Sequence, residues 1–223
     1  MIGRDKYKFN FKLEPIFSKE STLIAYELLT NIHETEANRK LNPHAFFLIS
    51  DESIIYDILI AQVEISASLI KERKIPVDIT LNITETMLNF LCDNIDIRNR
   101  INKINDRLIF EISEDIDLCK NKNQLMELNR ISRLWIDDFG VGFSNKQNLH
   151  LDIFEYVKLD RLFVINLLCF KSGCIFLKEL IDYLHKNKVK IICEGVENKT
   201  FLDSISCYDF DGLQGWFWES IHI

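Results

Sequence analysis

The sequence predicts an α/β fold: a parallel sheet with crossover helices, closed into a barrel. Three observations lead there. Short apolar strands alternate with helical stretches along most of the chain, the alternation repeats often enough to close a ring, and it opens on a hairpin. A length of 223 residues suits one such barrel. With three prolines, seven glycines and no Gly/Ser-rich or Pro-rich run, nothing marks a linker, so 1–223 is read as a single domain.

Taken in order, FKLEPIF (11–17), a turn at KEST (19–22) and LIAYELL (23–29) make the hairpin, an irregularity for an ordinary eightfold barrel. The polar segment 31–42 reads as a loop. In SIIYDILIAQVEISASLIKE (53–72), Ile54, Ile58, Ala61, Ile65 and Leu69 recur at three- and four-residue spacing, the mark of an amphipathic helix. The later strands are PVDITLNI (76–83), RLIFEIS (107–113), SRLWIDDFG (132–140), FEYVKLD (154–160), VKIICEGV (189–196) and FDGLQGW (210–216). Between them NKNQLMELNRI (121–131) and GCIFLKELIDYLHKNK (173–188) carry helical periodicity.

Composition removes several classes of function. A 47% hydrophobic content excludes a disordered chain, and 34 acidic against 27 basic side chains, with no basic stripe, argue against direct nucleic-acid binding. The six cysteines (Cys92, Cys119, Cys169, Cys174, Cys193, Cys207) have neither C-x-x-C spacing nor histidines at ligand distance. They read as small buried hydrophobes rather than a zinc site or a disulfide framework. The opening MIGRDKYKFNF lacks a signal-peptide pattern, and no stretch gives about 18 apolar residues without charge, so a cytoplasmic protein without membrane attachment is expected. The dispersed histidines (His33, His44, His150, His185, His222) suggest no catalytic triad, and FGVGF lacks the lysine and hydroxyl of a phosphate loop. Trp135 reads as core. The WFW run at 216–218 fits either an exposed contact surface or the closing wall of the barrel.

The functional signal lies at the strand ends, which share one mouth in a barrel. Glu27 closes the hairpin, Asn82 closes ITLN, Glu111 and Glu114 close LIFEISE, and Asp137 and Asp138 close LWIDD. Lys158 and Asp160 close YVKLD, Glu194 and Glu197 lie in ICEGVE, and Gln214 follows DGL. Each has a bland reading: an acidic turn for the aspartates, a surface site for Glu27, Glu111 or Glu114, an ion pair between Lys158 and Asp160, helix capping for Glu194 and Glu197, a turn contact for Gln214. Convergence weakens all of them together. Carboxylates so crowded resist ionisation unless cations neutralise them, and an oxygen-rich set suits Mg²⁺ or Mn²⁺ and two-metal phosphodiester hydrolysis.

These motifs, from about residue 11 to 216, resemble the EAL domain family of cyclic di-GMP phosphodiesterases. The resemblance implies a modified TIM-like (β/α) barrel whose first strand is antiparallel. It implies metal binding by Glu27 in YELLTN, Asn82 in LNIT, Glu111 in FEISE and Asp137 and Asp138 in DDFGVGFSN. It further implies Glu114 as support for the loop after the aspartates, Lys158 in KLD as the lysine that helps hold the attacking water, and Glu194 in EGVE as general base. Glu197 and Gln214 match the remaining motif positions. An active member would use two Mg²⁺ or Mn²⁺ ions to open the ring to linear pGpG. The chain departs from the family at Asn31, where an arginine usually holds a phosphate, and at Glu14, where a glutamine usually precedes Pro-Ile. Val141, Phe143 and Asn145 also differ, and the family's usual proline and terminal helix do not follow the QG motif. Losing a guanidinium fork and gaining a carboxylate both oppose a dianionic ligand. The departures therefore favour a regulatory EAL-like protein resembling the stand-alone anti-activators of enteric bacteria. Such a protein would bind the flagellar master transcriptional activator complex and repress motility genes, with weak or no cyclic di-GMP binding and no required metal. The alternative is an active phosphodiesterase.

Overall fold

The computed structural model describes residues 6–72, 74–104, 107–113, 116–140 and 151–223. Its first two strands, β1 (Tyr7–Ser18) and β2 (Leu23–Glu34), pair antiparallel. Their turn is held by the Ser18 hydroxyl, which accepts from the Glu20 and Thr22 amides, while Ser21 takes the left-handed conformation (φ 63°). Six further barrel strands follow: β4 (Asp78–Ile83), β5 (Leu108–Ser113), β6 (Arg133–Phe139), β7 (Phe154–Leu159), β8 (Lys190–Cys193) and β9 (Gly212–Gln214). The order β1-β9-β8-β7-β6-β5-β4-β2 closes through the β1–β2 pairing into an eight-stranded barrel. Strands β2 and β4–β9 run parallel, and β1 is antiparallel to both of its barrel neighbours.

Helices α1 (Pro43–Ile49) and α2 (Glu52–Lys71) connect β2 to β4, with α3 (Glu85–Asp93) and α4 (Ile95–Asn102) before β5. Helix α5 (Lys122–Leu128) precedes β6, α6 (Arg161–Leu168) and α7 (Lys171–Lys186) precede β8, and α8 (Lys199–Ile205) precedes β9. Strand alternation divides the core in two. In β5, Ile109 points inward to join Ile16, Ala25, Trp135, Tyr156 and Ile192, whereas Phe110 and Ile112 point outward against the helices. Trp135 is buried, as the sequence predicts, and its indole donates to Glu155 at 3.3 Å.

Several expectations are corrected. The segment 31–42 is not a loop throughout: β2 continues to Glu34 and β3 (Arg39–Leu41) pairs back onto it, so polar cross-strand partners sustain a ribbon above the barrel. The buried face of α2 runs through Ile55, Ile58, Leu59, Gln62, Val63, Ser66 and Ile70, while Ile54, Ala61, Ile65 and Leu69 lie half-buried on its shoulders. A helix apolar on most sides does not announce its inner face. Its length and mean hydropathy of 1.6 also satisfy the composition of a membrane span, but here that apolar content packs against the barrel. Of the six cysteines only Cys193 is buried; Cys119, Cys169 and Cys207 are exposed at turns and helix ends. Helices α1, α3, α4, α6 and α8, each nine residues or fewer, carry too few turns for periodicity to reveal them.

Candidate functional site

Parallel register brings the predicted residues to one end of the barrel. Glu27 is level with Thr80, Asn82 with Glu111, and Ser113 with Asp137. Glu27 is not the end of its strand, because β2 runs on into the ribbon while its pairing with β4 stops at Glu27. Between Ile136↔Val157 and Phe139↔Leu159, two residues of β6 oppose the single Lys158 of β7. This bulge, with Asp138 at φ 55°, breaks the alternation that would send consecutive side chains to opposite faces, and both aspartates address the mouth.

At the centre lies Lys158, fully buried. Its ammonium is 2.8 Å from Glu194, 2.9 Å from Glu111, 3.0 Å from Asp137 and 3.3 Å from Glu27. The carboxylates form two overlapping triads, Glu27–Glu111–Asp137 and Asp137–Asp138–Glu194, each with one oxygen per residue within 4.8 Å of the others. Asn82 and Gln214 donate to the two oxygens of Glu27. Lys158 thus belongs to the cluster, and Asp160 instead caps α6 by accepting from the Phe163 amide at 2.9 Å.

Burial opposes ionisation of Glu27, but Lys158, Gln214 and Asn82 outweigh it and lower its pKa. For the others burial prevails: Glu111 and Glu194 are held well above the ordinary carboxylate range, Asp137 is raised, and burial followed by the Asp137 charge pushes Asp138 up to about 6. Burial alone would lower Lys158, yet Asp137, Glu111, Glu194 and Glu27 keep its pKa well above normal. Five carboxyl groups around one ammonium leave a surplus of negative charge that only protons or cations can neutralise. Gln214 Oε1 is buried without a hydrogen-bond partner among the described residues. An all-oxygen donor set with spare lone pairs fits a hard divalent cation.

The remaining predicted residues lie elsewhere. Glu197 pairs with Arg161 at 2.8 Å and ties the EGVE turn to α6, a role for Arg161 that no sequence signal announces. Glu14 sits opposite Glu27 in the β1–β2 ladder but pairs with Lys12 at 2.8 Å. Asn31 is opposite Asn10 in the ribbon and lines a separate groove with Lys12, His33 and Lys40. Glu114, Val141, Phe143 and Asn145 lie outside the described residues. Two motif glycines have steric reasons: a Cβ at Gly195 (φ 63°) would lie 2.4 Å from the Arg161 side chain, and one at Gly215 (φ 149°) would lie 2.3 Å from the Val196 amide. Their turns interlock, Val196 N–H donating to the Gln214 carbonyl at 2.9 Å.

The cluster opens into a 620 Å³ cleft bounded by β2, α1, α2 and the start of α3. Its lining includes Thr30 and Gln62, which sequence reasoning did not single out. Trp216 is 73% exposed, and Trp218 packs on Phe17 with ring centroids 5.3 Å apart.

Comparison with known proteins agrees with this geometry. Residues 3–220 match the family model described as the EAL domain. The biofilm architecture maintenance protein MbaA of Vibrio cholerae is 25% identical over 230 residues; the match covers 97% of this chain and 28% of MbaA. Cyclic di-GMP phosphodiesterase PdeH of Escherichia coli K12 is 26% identical over 208 residues, 92% of this chain and 80% of PdeH. Among solved structures the EAL-like domain protein YdiV superposes with a TM-score of 0.83 at 20% identity, covering 96% of this chain and 93% of YdiV, which establishes a shared fold. Barrel, carboxylate mouth and family match lead to one conclusion: the chain belongs to the EAL domain family.

Proposed function

We propose that this EAL protein hydrolyses cyclic di-GMP to linear pGpG, with substrate affinity reduced by Asn31 and Glu14. The observation that carries this reading is the pair of carboxylate triads sharing Asp137, the second completed by Glu194, with Lys158 in contact with both. Glu27, Glu111, Asp137 and Asp138, with Asn82, would hold Mg²⁺ or Mn²⁺, which supplies Lewis acidity and an easily deprotonated water. Glu194, at the mouth beside Asp137 and Asp138, would accept that water's proton. Water oxygen adds to phosphorus, one ring P–O bond breaks, and the departing ribose oxygen takes up a proton. Lys158, within 2.8 Å of Glu194, keeps the base in place and offsets charge. Asn82 and Gln214 orient Glu27 in its ionised form. Glu14 pairs with Lys12 and Asn31 lines a separate groove, so neither substitution removes a carboxylate, Lys158 or Asn82 from the cluster. The test is release of pGpG from cyclic di-GMP in Mn²⁺, abolished by Glu194→Gln. No turnover together with no binding in Ca²⁺ would sink the reading.

A second reading is capture of the flagellar master transcriptional activator complex to repress motility genes, needing neither metal nor dinucleotide. Exposed apolar side chains support it: Leu48 at 74%, Ile49 at 85% and Trp216 at 73%. Both readings assume a cytoplasmic protein without membrane or nucleic-acid contacts. Failure of the activator complex to bind at micromolar concentration would remove this second reading.

A further inference from the structure

Strand β2 pairs with β4 only through Ala25, Tyr26 and Glu27, whereas β4 continues alongside β5 to Ile83. Above Glu27 the barrel wall is therefore split, and the cleft extends from the carboxylates to the outward-facing side chains of β2, Leu28 and Thr30, and to α1 and α2. Phe47, Leu48 and Ile83 give this arm apolar walls. Gln62 also lines it, on the face of α2 that packs inward and only 3% exposed. Its Nε2 donates to Thr30 Oγ1 at 3.0 Å, while its Oε1 is buried without a hydrogen-bond partner among the described residues. A buried amide oxygen left unmatched costs stability, and an apolar residue of similar size would cost less. The lining is mixed, with Asn42, His44 and Thr84 beside those apolar walls, and a few convergent polar groups of this kind fix the orientation of a ligand in a cleft.

We infer that Gln62, oriented by Thr30, is a specificity-determining residue that accepts a hydrogen bond from a nucleobase edge in this arm while the phosphodiester sits at the carboxylates. The inference rests on the cyclic dinucleotide reading above. With its amide nitrogen engaged by Thr30, Gln62 presents an acceptor. Guanine offers adjacent ring and exocyclic N–H donors on one edge; adenine offers only its exocyclic amine there. The arm therefore prefers guanine.

The test measures binding of cyclic di-GMP and cyclic di-AMP by calorimetry in Ca²⁺, for the wild-type chain and for Gln62→Met and Thr30→Val, with thermal melts of each without ligand. Gln62→Met should weaken cyclic di-GMP binding about tenfold or more, narrow the preference over cyclic di-AMP, and leave the melting temperature unchanged or higher. Thr30→Val, which releases the amide to rotate, should narrow the preference in the same direction. Equal cyclic di-GMP affinity in wild type and Gln62→Met would overturn the inference and leave the phosphodiesterase reading standing. So would a lowered melting temperature with both ligands weakened equally, the outcome of a purely structural Gln62–Thr30 bond. A wild-type chain that binds neither dinucleotide overturns the reading and the inference together.

Discussion

One ammonium among four carboxylates makes Lys158 the residue on which the metal-free mouth depends. In Lys158→Met those carboxyls lose their only buried positive partner among the described residues, and the cost should be about 3–5 kcal/mol at pH 7 by urea denaturation. Saturating Mn²⁺ should restore much of it; an unchanged urea midpoint would show that protons already neutralise the cluster. The pH dependence has a definite sign. Asp138 titrates near 6 in the folded chain against about 3.9 unfolded, so between those values the folded state binds more protons and stability falls as pH rises. Glu111, Asp137 and Glu194 shift the same way. Denaturation midpoints of metal-free protein should therefore be higher near pH 5 than at pH 7, with a shallower slope in Asp138→Asn. Most of this constellation was legible in the sequence because oxygen-bearing residues at strand ends have few other reasons to cluster. Gln62 was not, since a lone glutamine inside an apolar helix reads equally well as a residue facing solvent.

At the level of elements, the bulge in β6 separates backbone from side-chain effects. Position 138 needs a left-handed conformation, so Asp138→Gly should be about 1 kcal/mol more stable than Asp138→Ala, although both lose the same carboxylate. A difference near zero would mean that the strand straightens when the charge is removed. Helix α8 offers the converse case: Asn198 caps it, accepting from the Phe201 amide at 2.9 Å, one residue beyond Glu197. Asn198→Ala should lower stability by about 1 kcal/mol and leave Mn²⁺ affinity in place. Long elements declared themselves in the sequence, as α7 did with apolar residues on one face. The short α3 and α4, and the ribbon formed by β2 and β3, depend on tertiary packing and cross-strand pairing that no local pattern encodes.

Across the whole molecule, chemistry and cohesion occupy opposite ends of the barrel. At the end away from the mouth, Arg133 reaches Asp78 at 2.7 Å and Glu155 at 3.3 Å, joining β4, β6 and β7. Arg133→Met should cost about 1–2 kcal/mol, reduced from the buried-pair range by its partial exposure, with Mn²⁺ affinity within about twofold of wild type. A large loss of metal binding would mean that the two ends are coupled through the strands. The barrel itself was predictable from alternation, because parallel strands with helical crossovers admit few other closures. Antiparallel β1 has a consequence in time. It bonds both to β2 beside it in sequence and to β9, the barrel strand made last, and the same closure lets Gln214 reach Glu27 across 187 positions. Such a distant pairing forms slowly, so a chain emerging during synthesis holds an open sheet until β9 arrives. The event that seals the wall is also the one that completes the mouth, and an unfinished chain therefore carries the carboxylates without the glutamine that orients the first of them.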